Sequence, residues 1–206
     1  MRPRARSAQV CLNDHCFYAS NASNATPDAL QVLDRAAELG AAGIQFSVLT
    51  SFRELSDSYV DEVRARAESL GLSIEVGMGA CNPYSDCRAA RDTGRDPRVS
   101  LGEILPVARR IGSPIVRTFL GFSRERFLPR ARLAEQIEAT VAVLRDVSGA
   151  AEALGVRIVL ENHVDLTSRE LVEMVERVDS PATRSRCSRT PWNRAAPCSR
   201  GSAPRT

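Results

Sequence analysis

Four segments end a helix-like run in an aliphatic residue plus glycine and then enter a β-favouring stretch: ELGAAGIQFSV, SLGLSIEVGM, RIGSPIVRTFL and ALGVRIVLENH. Their glycines, Gly40, Gly71, Gly112 and Gly155, are spaced by 31, 41 and 43 residues. A glycine just past a helix takes the left-handed conformation without a Cβ clash, and a strand two or three residues later is an ordinary αβ connection. With a first strand predicted around residues 8–13, the chain reads as a βα unit repeated five times. Serial βα units build a parallel sheet, because each crossover is right-handed and covers a sheet face.

The helices carry their own signals. Thr26-Pro27 places a hydroxyl before a proline and predicts a helix start there. Leu133, Ile137, Val141, Leu144, Ala151 and Leu154 keep to one helical stripe. Thr167-Ser168-Arg169-Glu170 has the capping-box form, followed by Leu171, Met174, Val175 and Val178 at helical spacing. The strands are continuous apolar runs, as expected when both faces are covered. No glycine-rich phosphate fingerprint follows the first strand, so an α/β partial (β/α)8 barrel is favoured over an open dinucleotide-binding sheet.

Beyond VERVDSP the texture changes. Residues 182–206 contain no Ile, Leu, Val or Phe and hold six arginines without an acid, which leaves residues 1–181 with a net charge of −3 against +3 for the whole chain. The expected organisation is a barrel domain over 1–181 and an Arg/Ser/Pro-rich, disordered tail over 182–206. A shifted reading frame in a GC-rich gene explains the same texture, since the chain contains arginine and no lysine. Sequencing the gene separates the two readings. The mildly acidic body offers no general footprint for nucleic acid, and no apolar run approaches the length of a membrane helix. MRPRARSAQVCLNDHC has no apolar leader core, so a cytoplasmic location is expected, with the six cysteines as free thiols.

Chemistry is concentrated where the fifth strand ends, in VLENHVDLTSREL. In parallel barrels the functional residues lie at the C-terminal ends of the strands. Alternation puts Glu161 and His163 on one side of the strand and Asn162 on the other. A buried carboxylate needs a cation or hydrogen-bond donors. Glu161 could therefore hold a hard divalent ion or accept N–H bonds from its own loop. Further candidates for the mouth are Arg117 in VRTFLG, His15 after the first strand, and Asn82 at the start of the loop CNPYSDCRAARDTGRDP, which has the length of a substrate lid. Glu75 in LSIEV needs a partner if it points inward, with Arg117 a candidate.

ELGAAGIQF, IGSPIVRTFLG and above all VLENHVDLTSRELVEMVERVDSP resemble the xylose isomerase-like TIM barrels, the sugar phosphate isomerase/epimerase superfamily, over roughly residues 8–181. The resemblance implies a divalent-metal-dependent sugar or sugar-phosphate isomerase or epimerase. Glu161 would be a metal ligand and acid/base partner, with Mn2+ or Mg2+ expected and Zn2+ or Co2+ as alternatives. His163, Arg117, His15 and Asn82 would face the substrate. The other ligands of that family come from strands six to eight, for which no counterpart is read here, so an incomplete site and impaired activity are expected. Two other functions are weighed beside it. The apurinic endonucleases share the fold, but their trinuclear zinc sites need more histidines than His15 and His163. A non-catalytic barrel fragment would bind small molecules or self-associate through its open edges and an uncovered apolar interior.

Overall fold

The computed structural model describes residues 10–18, 26–86 and 94–186. Strands and helices alternate in the order β1 (Cys11–Asn13), α1 (Ala29–Glu38), β2 (Gly43–Phe46), α2 (Asp57–Leu70), β3 (Ser73–Ala80), α3 (Pro97–Ile111), β4 (Ile115–Phe119), α4 (Leu133–Leu154), β5 (Arg157–Glu161), α5 (Ser168–Val178) and β6 (Thr183–Arg186). All neighbouring strands pair in parallel, in the order β1-β2-β3-β4-β5-β6. The result is an α/β partial barrel, open between β1 and β6 among the described residues.

The repeat does what its glycines require. Gly40, Gly71, Gly112 and Gly155 all adopt positive φ, between 66° and 85°, and each ends a helix ahead of a strand. The capping box at α5 forms as read, with Thr167 accepting from Glu170 N–H and Glu170 reaching back. At α1 the cap lies two residues later than Thr26: Asp28 accepts from Leu30 N–H, and its second oxygen takes the Tyr59 hydroxyl at 2.8 Å. A capping box with Gln31 places this cap locally, and the Tyr59 contact from α2 reinforces it.

Alternation divides each strand between two environments. Ile44, Phe46, Ile74, Val76, Val116, Ile158 and Leu160 pack against the helices in one continuous core. Their neighbours face the barrel interior, where polar and small residues (Asn13, Gln45, Glu75, Gly77, Arg117 and Glu161) stand beside the apolar Ile115, Phe119 and Val159. The apolar interior expected from continuous β-runs is therefore corrected to a mixed one, polar along β1–β3 and partly apolar on β4 and β5. β-propensity marks the strands, but the buried aliphatic residues lie mainly on the helix side.

The sheet also runs one strand past the five units read from the repeat. Residues 183–186, assigned by composition to the tail, pair with β5 from Ile158↔Thr183 to Glu161↔Arg186. This register puts Thr183 and Ser185 on the helix side, level with Ile158 and Leu160. The Thr183 hydroxyl is buried there without a hydrogen-bond partner. β6 is held by its backbone ladder and lacks the apolar side chains that announce the other strands. The remainder of the tail, 187–206, and residues 87–93 of the expected lid lie outside the described residues. No helix among those described is long and apolar enough to cross a membrane.

Candidate functional site

Parallel pairing without stagger sets Asn13, Gln45 and Glu75 in one interior row. Their side chains form a chain: Asn13 Nδ2 donates to Gln45 Oε1 at 3.1 Å, and Gln45 Nε2 to Glu75 Oε2 at 3.0 Å. Asn13 Nδ2 also reaches Ser47 Oγ at 2.7 Å. Such a network is what a buried polar face needs to be tolerated.

On β4, Arg117 continues the interior face and is 6% exposed. It lies opposite Gly77 on β3 and Val159 on β5. Glu161 lies two residues beyond Val159 toward the strand's C-terminal end, and the long arginine side chain runs up to it. Arg117 Nη1 ion-pairs with Glu161 Oε2. The partner suggested by sequence was Glu75, which the register places two residues behind Gly77, on the other side of Arg117. Gly77 is what lets the guanidinium through: a Cβ there would sit 3.3 Å from Arg117 Nε and 2.6 Å from Ser47 O. Glu161 Oε1 has no hydrogen-bond partner among the described residues, and Arg117 Nε is buried without an acceptor.

Beyond Glu161 the chain turns sharply. Asn162 folds back on its own loop, accepting from Val164 N–H at 3.0 Å and donating to Leu166 O. Val164 is held at φ 67°, a left-handed conformation that a β-branched side chain adopts only under constraint. The constraint is Asp165. Fully buried, it accepts His163 and Leu166 N–H on Oδ1, both at 2.9 Å, and Leu120 and Gly121 N–H on Oδ2 at 3.1 and 2.8 Å. One carboxylate thereby joins the loops after β4 and β5.

That junction aims His163. Its ring packs in a three-ring cluster with Phe119 and Phe122, whose centroids are 4.6 and 4.4 Å away and 5.7 Å from each other. Nδ1 is buried and unbonded. The Phe122 side is fixed by Glu125, 1% exposed, which accepts Phe122 N–H at 2.8 Å and Ser85 Oγ–H at 3.3 Å. Arg126 then ties this loop to α5, donating to Asp165 O and to both oxygens of Glu170. The Arg126 guanidinium holds the Glu170 carboxyl down at about 2.

The other sequence candidates have partners of their own or face solvent. His15 is exposed, its ring 5.0 Å from Tyr18. Beside it Asp14 is fully buried, accepting from Ser47 N–H and the Tyr18 hydroxyl; burial and this carboxylate push the phenol up to about 12. Asn82 is fully buried, donating to Gln136 Oε1 at 2.9 Å and accepting from Tyr84 N–H at 3.0 Å, so it organises the start of its loop. Sequence reasoning missed Asp165, Asp14 and Glu125. Asp165 had a signal, since it is a second acid in the strand-end motif, four residues after Glu161. Glu125 sits between arginines in SRERF and looks like solvated surface.

The donor set does not fit the expected divalent ion. Among the described residues no group of three or more His, Cys, Asp or Glu side chains is placed to hold a metal. Glu161 is a single carboxylate, already engaged by a guanidinium. The two histidines are far from supplying the clusters a zinc or cobalt site needs.

Residues 33–184 match the family model described as xylose isomerase-like TIM barrel. A curated relative, the 3-oxo-isoapionate decarboxylase of Pectobacterium atrosepticum, is 26% identical over 84% of this chain; the chain spans 55% of that protein's length. A D-psicose 3-epimerase from Clostridium cellulolyticum H10, solved with D-tagatose, superposes with a TM-score of 0.63 at 18% identity, over 86% of this chain and 62% of the other. A xylose isomerase-like TIM barrel protein from Mycobacterium smegmatis, solved in complex with magnesium, gives 0.64 at 18% identity, over 87% and 64%. These structural likenesses speak to the fold.

Proposed function

Because the chain belongs to the xylose isomerase-like TIM barrel family, we propose that it carries part of a sugar isomerase or epimerase site that takes a small carbonyl sugar or sugar phosphate. The observation that carries this reading is the convergence of Arg117 and Glu161 from adjacent strands at one strand end, with His163 set against Phe119 beside them. Relatives named as a D-psicose 3-epimerase and a 3-oxo-isoapionate decarboxylase support a carbonyl-bearing substrate.

The proposed chemistry is proton transfer at a carbon beside the carbonyl. Arg117 fixes one oxygen of Glu161, and the other is the oxygen that accepts the proton. A guanidinium at this depth also offers N–H donors to a substrate carbonyl or hydroxyl. His163, packed against Phe119 and Phe122, would contact a sugar hydroxyl. His15 and Asn82 have no step in this reading. With a single carboxylate at the site, turnover is expected to be low.

The test is deuterium exchange. The purified chain is incubated in D2O with ketoses and ketose phosphates, with and without Mn2+ or Mg2+, and the sugar is followed by NMR. Label entering beside the carbonyl in the wild type and absent from Glu161→Gln supports the proposal. No label from any substrate under any ion condition removes it.

The open sheet favours a second reading. β1 and β6 each present an unpaired edge among the described residues, and such edges template pairing with another chain. A non-catalytic barrel that binds small molecules or self-associates through these edges would sediment as a concentration-dependent oligomer and show no exchange.

A further inference from the structure

Arg117 and Glu161 satisfy each other and little else satisfies either. The guanidinium is 6% exposed, and its Nε is buried without an acceptor. Glu161 has no hydrogen-bonding side-chain partner but Arg117 among the described residues. A guanidinium is a permanent positive charge.

A divalent ion at Glu161 would therefore have to share the carboxylate with a buried, permanent positive charge. Like charges a few ångströms apart in a partly desolvated site repel strongly. Were Arg117 to let go instead, its charge would be left buried with no acceptor, which is the costly way to break such a pair. We propose that Arg117 is the built-in cation of this site: its guanidinium occupies Glu161 and keeps a divalent ion off it. The inference rests on the reading of Glu161 as the site's carboxylate. It concerns ion binding alone, so its outcome is separate from that of the exchange assay.

The full chain is titrated with Mn2+ as wild type, Glu161→Gln, Arg117→Met and the double variant. Free ion is followed by electron paramagnetic resonance, and folding by circular dichroism and thermal melting. The wild type and Glu161→Gln are expected to respond to Mn2+ alike. Arg117→Met is expected to melt lower without the ion, to bind it on the order of tenfold more tightly than the wild type, and to lose that binding in the double variant. Uptake by the wild type that disappears in Glu161→Gln overturns the proposal, as does a folded Arg117→Met that gains no affinity. Should Arg117→Met fail to fold, the comparison of wild type with Glu161→Gln decides alone.

Discussion

Asp165 and Gly121 meet at 2.8 Å, the carboxylate of one loop accepting the backbone N–H of the next. The bond is one of four that converge on Asp165 from the loops after β4 and β5, and all four donors are backbone amides. It sets the distance between Phe119 and His163, and so the shape of the site beside Glu161.

Asp165→Asn keeps the size but turns two acceptor sites toward donors. Hydrogen bonds to a charged acceptor are worth more than neutral ones, and a donor left unmatched in the interior is costly. The variant is expected to lose about 2–4 kcal/mol in urea unfolding, with changed amide chemical shifts at Leu120, Gly121 and His163. A loss within experimental error would show that the loops are held apart from Asp165.

Val164 makes the opposite prediction. Its φ of 67° strains a β-branched residue, and its side chain is 78% exposed, so little packing is lost on replacement. Val164→Asn, which tolerates the left-handed region, is expected to raise stability by about 1 kcal/mol, read as a higher midpoint in thermal melting. A lower midpoint would mean that the valine side chain has a contact of its own.

The Arg126–Glu170 pair gives a pH signature. Glu170 is held at about 2 in the fold, below its ordinary 4.5, by the Arg126 guanidinium. The stabilisation is therefore fully present above the unfolded value and is lost as pH falls from about 5 toward 2. Its size is on the order of 1–2 kcal/mol, since both side chains retain about a quarter of their exposure and are partly screened. Denaturation of Glu170→Gln across this window should show a shallower loss than the wild type, while parallel curves would refute the assignment.

Gly77→Ala tests the passage under the ion pair. The new Cβ would lie 2.6 Å from Ser47 O and 3.2 Å from Arg117 O, both backbone atoms that cannot step aside cheaply. A destabilisation of about 1–3 kcal/mol is expected, as for other overpacked interiors. A neutral effect would mean that β3 can shift away from β4.

The order of elements was legible from residues close in sequence. Gly40, Gly71, Gly112 and Gly155 end their helices as read, and Thr167 with Glu170 starts α5, because helix ends depend on neighbours a few positions away. Glu161 could be singled out for the same local reason, as a carboxylate where a strand stops. What surrounds it could not. The choice of Glu161 over Glu75 as partner of Arg117 depends on strand register, and the reach of the Tyr59 hydroxyl to the Asp28 carboxylate depends on packing across 31 residues. β6 escaped composition altogether, since Thr183 and Ser185 carry no apolar signal and the strand exists through its ladder with β5. Periodicity, capping and turns are short-range and written in the chain. Charge pairing and burial depend on which distant strand arrives alongside, and only the tertiary structure decides that.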